Sequence, residues 1–401
     1  MEEKKIRVAI THGDTNGVGY EVILKAFEDP AMLELMTPII YGSSKVATYY
    51  AKVLNMDVPF TIIAQASEAE DNRLNLLDCF GEKEIAVSMG EATNESGQAA
   101  LQALDRAIED YKNGCFDVLV TAPVNRSNIS GFHGHANYLE RKLESQEKGI
   151  SILMNDDLRV ALVTNNLAVK DISESITKQK IIEKVRLFHL ALRRDLRIST
   201  PRIAVLALNP RCGEDGALGE EEKDIIAPAI SELAAEDIQA FGPYAADTFF
   251  GRGDYLRFDG VLAMYHDQGM APFKTLAPED GVRFTAGLPI VRTAPAHGVH
   301  FELAGRNQAN ANSLRHAIYT AIDALRNRKN YEAPMQNPLP KLYHEKREDG
   351  EKVRFRSSET RTAGTSRKPH QAQQQQQATA AESQQQKAEN TQQNKDVNQQ
   401  Q

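Results

Sequence analysis

Short apolar runs alternate with longer amphipathic stretches over residues 5–330 of the chain. Several runs are continuously apolar, such as VLVT at Val118–Thr121, and this is typical of strands covered by helices on both faces. The pattern predicts strands at Ile6–Thr11, Pro38–Tyr41, Val118–Thr121, Ser151–Met154, Val160–Thr164, Arg202–Leu208 and Gly260–Met264. It predicts helices at Gly19–Phe27, Ser96–Lys112, Thr177–Leu192, Glu220–Ala235 and Ala309–Arg328. Alternation of this kind predicts α/β layers joined by parallel crossovers.

The chain changes character near residue 345. Beyond Pro369, Val397 is the only branched aliphatic residue and Gln is the commonest residue. Such a segment cannot bury enough apolar surface to offset an ordering cost of about 1–2 kcal/mol per residue. We therefore expect residues 345–401 to form a disordered, Gln-rich tail. It is either a solvated extension or an interaction element.

Charge and cysteine content exclude several classes of protein. The chain has 47 basic and 55 acidic residues, a net charge of −8, which excludes a globally basic nucleic-acid binder. Its cysteines, Cys79, Cys115 and Cys212, are odd in number and form no C-x-x-C pair, as expected of free thiols in the cytosol. No apolar run of about 18 residues could span a membrane. These features predict a cytoplasmic protein without nucleic-acid or membrane partners.

Glycine and polar residues are concentrated where the predicted strands end, which is where α/β sheets bind ligands. The first such junction, Thr11–Gly19, has glycines at positions 13, 17 and 19. This G-x3-G-x-G spacing differs from the dinucleotide-binding fingerprint. The sequence leaves open whether the junction holds an anion with backbone N–H groups or is only a tight turn.

Two junctions contain histidines. His266 and Asp267 directly follow the predicted strand Gly260–Met264, and a histidine beside an acceptor can bind a metal or carry a proton. A purely structural histidine is the alternative. His133 and His135 lie two residues apart on a predicted loop, a spacing that fits phosphate or hydroxyl binding at least as well as a metal pair.

Lys274, Arg283 and Arg292 are three of the cations in the last third of this acidic chain, and they lie close to Gly-Pro turns. They predict a phosphate- or carboxylate-binding pocket, with solvated surface charge as the alternative. Asp247 lies in an otherwise apolar stretch and is a candidate proton acceptor or an ordinary cap. Cys212 follows an arginine, so it is either a reactive thiol or a partly buried inert one.

The sequences of these junctions, and their order along the chain, resemble those of the 4-hydroxythreonine-4-phosphate dehydrogenases. These enzymes are oxidoreductases of vitamin B6 (pyridoxal phosphate) biosynthesis. The resemblance covers about residues 5–330 and rests on a long collinear set of motifs. These are the early G-x3-G-x-G loop, VTAPVNR, Gly134-His135, ALNP, the G-x-x-G at Gly216 and Gly219, AMYHDQG, Lys274, and AGLPIVRT with His297-Gly298.

The resemblance implies a two-domain α/β/α fold with mostly parallel sheets, like that of isocitrate and isopropylmalate dehydrogenases, with the active site in the interdomain cleft. We therefore expect a first α/β domain of residues 1–130 plus 300–330 and a second of residues 131–299. The resemblance also implies a homodimer, NAD(P)-dependent oxidation of 4-phosphooxy-L-threonine, and subsequent loss of CO2. The implied cofactors are NAD or NADP and a divalent metal such as Zn, Mg or Co.

The family's three metal-binding histidines correspond to Asn166, Arg211 and His266, so only His266 retains a ligand of the family type. Asparagine is a poor ligand for a borderline metal, and arginine is a permanent cation. One hypothesis is that Arg211 supplies a fixed positive charge in place of the metal. An alternative function is that of a divergent paralogue, a binding or regulatory subunit that holds a phosphorylated small molecule without metal-dependent oxidation.

The remaining implied site residues fall into two groups. The substrate-binding positions are His135, Lys274, Arg283 and Arg292. The catalytic positions are Asp247, Asp267 and Lys274. Three positions depart from the family pattern in charge: Arg283 replaces an asparagine, Asn137 replaces an acid, and Ala296 replaces an aspartate.

Overall fold

The computed structural model describes residues 5–336, and the predicted tail at 345–401 lies outside the described residues. Twelve strands form one sheet in the order β3-β4-β2-β1-β5-β12-β11-β6-β7-β10-β8-β9. The strands are β1 (Arg7–Thr11), β2 (Thr37–Gly42), β3 (Thr61–Ile63), β4 (Asn75–Asp78), β5 (Val118–Thr121), β6 (Ile150–Met154), β7 (Arg159–Leu162), β8 (Ile203–Leu206), β9 (Ala240–Tyr244), β10 (Gly260–Ala263), β11 (Val282–Ala286) and β12 (Val291–Pro295).

Eight of the eleven strand pairings are parallel. The other three join β12, β11, β6 and β7 in antiparallel order at the centre of the sheet. The predicted α/β class with a mostly parallel sheet is therefore confirmed. Because the sheet continues without a break from β3 to β9, the predicted domain boundaries near 130 and 300 stay a prediction.

Helices cover the sheet and connect the parallel strands. They are α1 (Gly19–Ala26), α2 (Met32–Leu35), α3 (Ser44–Val53), α4 (Asn94–Lys112), α5 (His135–Lys142), α6 (Ile172–Ser175), α7 (Lys178–Arg194), α8 (Ala227–Ala234), α9 (Ala246–Gly251), α10 (His266–Leu276) and α11 (Asn312–Gln336). A π-helical turn, Glu222–Ile226, precedes α8. Between residues 5 and 336, no helix is both long and apolar enough to cross a membrane.

All seven predicted strands are present, and each of their ends agrees within two residues. The five predicted helices are present as well, although the last runs on to Gln336. The pattern missed five strands, among them β11 and β12, whose sequences VRFTA and VRTAP place arginine and threonine inside the sheet. The expectation of an irregular loop through His135 was wrong, because α5 begins at that residue.

The two faces of the central strands differ in character. Thr293 of β12 is buried on the face covered by α11, and its hydroxyl donates to the carbonyl of Ala317 in that helix at 2.7 Å. Neighbouring residues of a strand point to opposite faces, so Arg292 projects from the other side of β12. That second face carries the candidate site.

Candidate functional site

Hydroxyl and guanidinium groups replace apolar side chains on one face of β5, β12, β11 and β6. Arg283 and Thr285 are two residues apart on β11 and therefore share a face. Thr285 lies opposite Arg292 of β12 and opposite Ser151 of β6. Thr121, the last residue of β5, falls on the same face because Leu119 pairs with Arg292. The strand register thus brings two arginines and three hydroxyls together.

The hydroxyls hold the arginine side chains in place. Arg292 is only 2% exposed, and its Nε donates to Thr121 Oγ1 at 3.1 Å while Nη1 donates to Thr285 Oγ1 at 3.2 Å. Arg283 donates from Nη1 to the Ser151 hydroxyl at 3.2 Å. Within residues 5–336, no carboxylate pairs with either guanidinium. A hydroxyl fixes the orientation of a cation but cannot neutralise its charge.

Loss of solvent and neighbouring positive charges lower the pKa values of both arginines. Burial, reinforced by the neighbouring charge of Arg283, lowers the pKa of Arg292 to about 9. Burial and the charge of Arg126 lower the pKa of Arg283 to about 10. Both groups stay protonated at neutral pH, so the buried Arg292 and the half-buried Arg283 lie close to each other and to the exposed Arg126. An anion bound among them would relieve this repulsion.

Helix α5 directs its N-terminus at the same place. It begins at His135 after Gly134, whose φ of +110° suits glycine. The first N–H groups of a helix have no intrahelical acceptor and lie at the positive end of its dipole. Burial, together with Arg292, Arg283 and Arg126, holds the pKa of His135 well below its usual value. At neutral pH His135 is therefore an uncharged imidazole among cations.

All of these groups line one cavity of about 270 Å³, which we call the basic cleft. Its ionisable lining residues are Arg126, His133, His135, Lys274, Arg283, Arg292 and His297. No aspartate or glutamate is among the described residues that line it. The structure therefore brings together the four substrate-binding residues predicted from the sequence. It also adds Arg126, whose sequence signal was the basic residue that closes VTAPVNR.

The positions that depart in charge from the family pattern belong to this cleft as well. Asn137, Arg283 and Ala296 all line it. Each of these replacements makes the charge of the cleft more positive by about one unit than the pattern implied by the resemblance. The departures are therefore concentrated where a ligand would lie.

A second cavity of about 270 Å³ lies beside the basic cleft, and Asn166 lines both. His266 and Asp267, the first residues of α10, line this second cavity. Both side chains are exposed, and Nδ1 of His266 lies 2.7 Å from Oδ1 of Asp267. Asp247 is exposed on α9 and lines neither cavity, and its catalytic role stays a prediction.

The three family metal positions share one edge of the sheet. Asn166, Arg211 and His266 follow β7, β8 and β10, which pair in parallel with β10 in the middle. Arg211, however, lines neither cavity, and its guanidinium pairs with Glu214 at the surface. Among residues 5–336, no group of three or more His, Cys, Asp or Glu side chains could hold a metal ion. The residues present do not fit the divalent metal that the resemblance implies.

The segment that carries Arg211 has an unusual backbone. Five consecutive residues, Arg211 to Asp215, have φ between 46° and 76°, a left-handed turn that is strained for residues other than glycine. The carboxylate of Glu222 anchors it by accepting from the backbone N–H groups of Leu208 and Asn209 at 2.8 and 2.7 Å. Burial raises the pKa of Cys212 in this turn, which favours the inert thiol over the reactive one.

The glycine-rich junction after β1 packs against backbone and lines neither of the two cavities. Gly13 has a φ of +74°, and a Cβ there would lie 2.4 Å from the carbonyl oxygen of Pro123. A Cβ on Gly19 would lie 2.0 Å from the carbonyl oxygen of His12. These close approaches explain Gly13 and Gly19 as parts of a tight turn, while Val18 of the same junction lines a further cavity.

A third cavity of about 180 Å³ adjoins the basic cleft through His297, which lines both. Nε2 of His297 is buried without a hydrogen-bond partner among the described residues, while Nδ1 lies 2.8 Å from the carbonyl oxygen of Gly298. Asn310 supplies an amide to the wall, and Leu303 and Ala309 supply apolar surface. Polar and apolar side chains therefore line this cavity beside an unpartnered imidazole nitrogen, and the carboxylate of Glu279 accepts from the Asn310 amide at 3.1 Å in the same wall.

The fold and the basic cleft define an α/β protein with a mostly parallel sheet and a positively charged cavity on one face of its central strands. The model of the family described as pyridoxal phosphate biosynthetic protein PdxA matches residues 34–321, and the chain belongs to this family. This confirms the resemblance found from the sequence.

Individual relatives agree with this assignment. The chain is 54% identical over 359 residues to a 4-hydroxythreonine-4-phosphate dehydrogenase of Bacteroides thetaiotaomicron, covering 88% of this chain and 98% of that protein. It is 36% identical over 328 residues to the enzyme of that name from Sulfurihydrogenibium sp., covering 81% of this chain and all of the other. The crystal structure of the Klebsiella pneumoniae enzyme of that name covers 81% of this chain and 99% of its own, with 28% identity and a TM-score of 0.68.

Proposed function

We propose that the protein is a 4-hydroxythreonine-4-phosphate dehydrogenase of vitamin B6 biosynthesis that binds its phosphorylated hydroxy amino acid substrate in the basic cleft. The observation that carries the proposal is a pair of guanidinium groups, the buried Arg292 and the half-buried Arg283, which have only hydroxyl partners. A phosphate placed between them and the N-terminus of α5 would receive charge-assisted hydrogen bonds from both directions. The family assignment supports the same substrate class.

The oxidation converts the C3 hydroxyl of the substrate to a ketone by loss of a hydride and a proton, and the resulting 3-oxo acid loses CO2. A bound NAD or NADP would supply the hydride acceptor, and the third cavity, with His297 and Asn310, would hold part of it. Lys274 lines the basic cleft, where its ammonium can stabilise negative charge that develops on the substrate oxygen. We assign the proton to Asp267 and its partner His266.

No step of this proposal passes through a metal ion, because the donor set at Asn166, Arg211 and His266 does not suit one. That misfit favours a second candidate function, a binding or regulatory subunit that holds the phosphorylated ligand without oxidising it. We further propose that the protein acts as a homodimer in the cytoplasm, as the sequence and the resemblance predict.

Two measurements on the full chain test the proposal. Calorimetric titration with inorganic phosphate should show binding that Arg292→Gln reduces at least tenfold, whereas Arg186→Gln, at an exposed arginine on α7, should leave the affinity unchanged. Absorbance of the reduced cofactor, followed with 4-phosphooxy-L-threonine and NAD or NADP, should show turnover. Phosphate binding without turnover under any metal salt would favour the binding subunit, and wild-type phosphate affinity in the Arg292 variant would contradict the site.

A further inference from the structure

The glycine-rich junction after β1 carries a buried carboxylate, Asp14, to which the proposed function gives no role. Asp14 is 1% exposed, and its oxygens accept from the side-chain amide of Asn128 at 2.8 Å and from the backbone N–H of Asn16 at 3.0 Å. Among the residues that the structure describes, no basic side chain forms an ion pair with it. A carboxylate buried with neutral donors alone loses solvation without gaining a counter-charge, so stability does not explain it.

Asp14 holds segment 123–128, which follows β5, at both of its ends. At the first end, the backbone N–H of Asp14 donates to the carbonyl of Pro123 at 2.9 Å. At the second end, its carboxylate accepts from Asn128, and the same amide donates to the carbonyl of Thr93 at 2.9 Å. Asn128 is buried, so these hydrogen bonds form away from water and fix the backbone firmly.

The charged side chain on this segment is Arg126, which lines the basic cleft. Arg126 is exposed, and its guanidinium makes no hydrogen bond or ion pair with any described residue. It nevertheless lies against the start of α5, because a Cβ on Gly134 would be 3.7 Å from its Nε. Since no side-chain contact holds Arg126, its position depends on the backbone of segment 123–128.

We propose that Asp14 is a positioning residue for ligand binding, which holds segment 123–128 so that Arg126 faces the anion in the basic cleft. This role rests on the proposed function, since it assumes that the cleft binds a phosphate group. Neither Asp14 nor Asn128 lines the cleft, so both act through the segment. Removal of a negative charge would by itself strengthen the binding of an anion, whereas loss of positioning weakens it.

Asp14→Asn in the full chain tests this role. The amide keeps only one acceptor oxygen, so it sets an N–H donor against that of either Asn128 or Asn16. Calorimetric titration with inorganic phosphate should show an affinity about fivefold or more below that of the parent. In the Arg126→Gln background, the same substitution should reduce the affinity by less than about twofold further, because the side chain through which Asp14 acts is gone.

The matched control is Asp110→Asn, at a buried carboxylate near the other end of α4, which accepts from the Tyr41 hydroxyl at 2.9 Å and should leave phosphate affinity unchanged. If Asp14→Asn does not fold, Asn128→Ser, which shortens the other partner of the same hydrogen bond, takes its place with the same expected results.

Four results would overturn the proposal. Equal losses of phosphate affinity in Asp14→Asn and Asp110→Asn, or a loss that persists in full in the Arg126→Gln background, would show a general structural effect. Unchanged or tighter phosphate binding in Asp14→Asn would contradict the positioning role and leave the phosphate site intact. Failure of the parent to bind phosphate would overturn the proposed function, and this role with it.

Discussion

The guanidinium of Arg292 on β12 donates to the hydroxyl of Thr121 on β5 at 3.1 Å, in a buried contact between residues 171 positions apart in the sequence. The second donor of this arginine, Nη1, bonds Thr285 at 3.2 Å. Thr121 on β5 and Thr285 on β11, the two strands that flank β12, therefore set the plane of the Arg292 guanidinium, which has no carboxylate partner among the described residues. This arrangement fixes the orientation of the guanidinium while leaving its charge available to a ligand.

Thr121→Val should weaken phosphate binding by about threefold to tenfold, because a hydrogen bond to a charged group contributes about 1.5–3 kcal/mol and part of this fixes the arginine for its ligand. Calorimetric titration of the variant measures the effect. The matched control is Thr293→Val on the opposite face of β12, where the hydroxyl bonds α11. We expect that control to lower the melting temperature without changing phosphate affinity. Equal phosphate affinity in Thr121→Val and the parent would contradict the orienting role.

A substitution in the buried ion cluster of Asp195, Arg194 and Arg328 should lower the free energy of unfolding strongly. Asp195 is fully buried and pairs with Nε of Arg194 and Nε of Arg328, each at 2.9 Å. Arg328 also donates to the carbonyls of Leu288 and Pro289 at 3.1 and 3.0 Å, in the turn between β11 and β12. Asp195→Asn leaves two largely buried arginines without their carboxylate, so the free energy of unfolding should fall by about 3–5 kcal/mol.

Urea unfolding followed by circular dichroism measures that loss. The control is Glu236→Gln, which removes a partner of Arg186 from an exposed pair and should change the unfolding free energy by less than about 1 kcal/mol. Equal losses in Asp195→Asn and Glu236→Gln would show that burial does not set the energetics of the Asp195 cluster.

His12 should make the protein sensitive to acid. Its ring is fully buried, stacks on Tyr20 at 5.1 Å, and has no hydrogen-bond partner on either nitrogen among the described residues. Burial lowers its pKa from 6.5 to about 4, against smaller opposing effects of the Gly13 and Ala99 backbone. Below pH 6.5 the unfolded chain takes up a proton that the folded chain does not, so stability falls as the pH drops from 6.5 towards 4.

The variant His12→Phe should lack this contribution. Between pH 7 and pH 4.5 its unfolding free energy should fall by about 2 kcal/mol less than that of the parent, since each pKa unit corresponds to about 1.4 kcal/mol. Urea titrations of both proteins at the two pH values measure the difference. Parallel pH profiles would show that His12 is protonated equally in the folded and unfolded chains.

Elemental analysis tests the poor fit of the metal site. The purified protein dialysed against Zn, Mg or Co should retain well under one ion per chain, because His266 has neither an imidazole nor a carboxylate at the two companion positions. The double variant Asn166→His with Arg211→His should bind Zn more tightly than the parent, since both positions follow strands adjacent to β10. One firmly bound ion per chain in the parent, lost in His266→Ala, would refute this prediction.

The sequence by itself determined seven of the twelve strands, the α/β class and the family, because continuous apolar runs and junction motifs are local signals. It also identified His135, Lys274, Arg283 and Arg292 as candidate ligand residues. It did not predict β11 and β12, because strands that contain arginine and threonine lack the apolar pattern of a core strand. The two strands without the apolar pattern, β11 and β12, are the ones that carry Arg283 and Arg292 of the basic cleft.

Only the tertiary structure decided which charges are paired. Arg211 and Arg292 are alike in the sequence, yet one pairs with Glu214 at the surface and the other is buried with hydroxyl partners alone. Strand register brings Ser151, Thr285 and Arg292 together, and no local pattern contains that register. The charge of a binding site depends on long-range pairing and on burial, and both are properties of the folded chain.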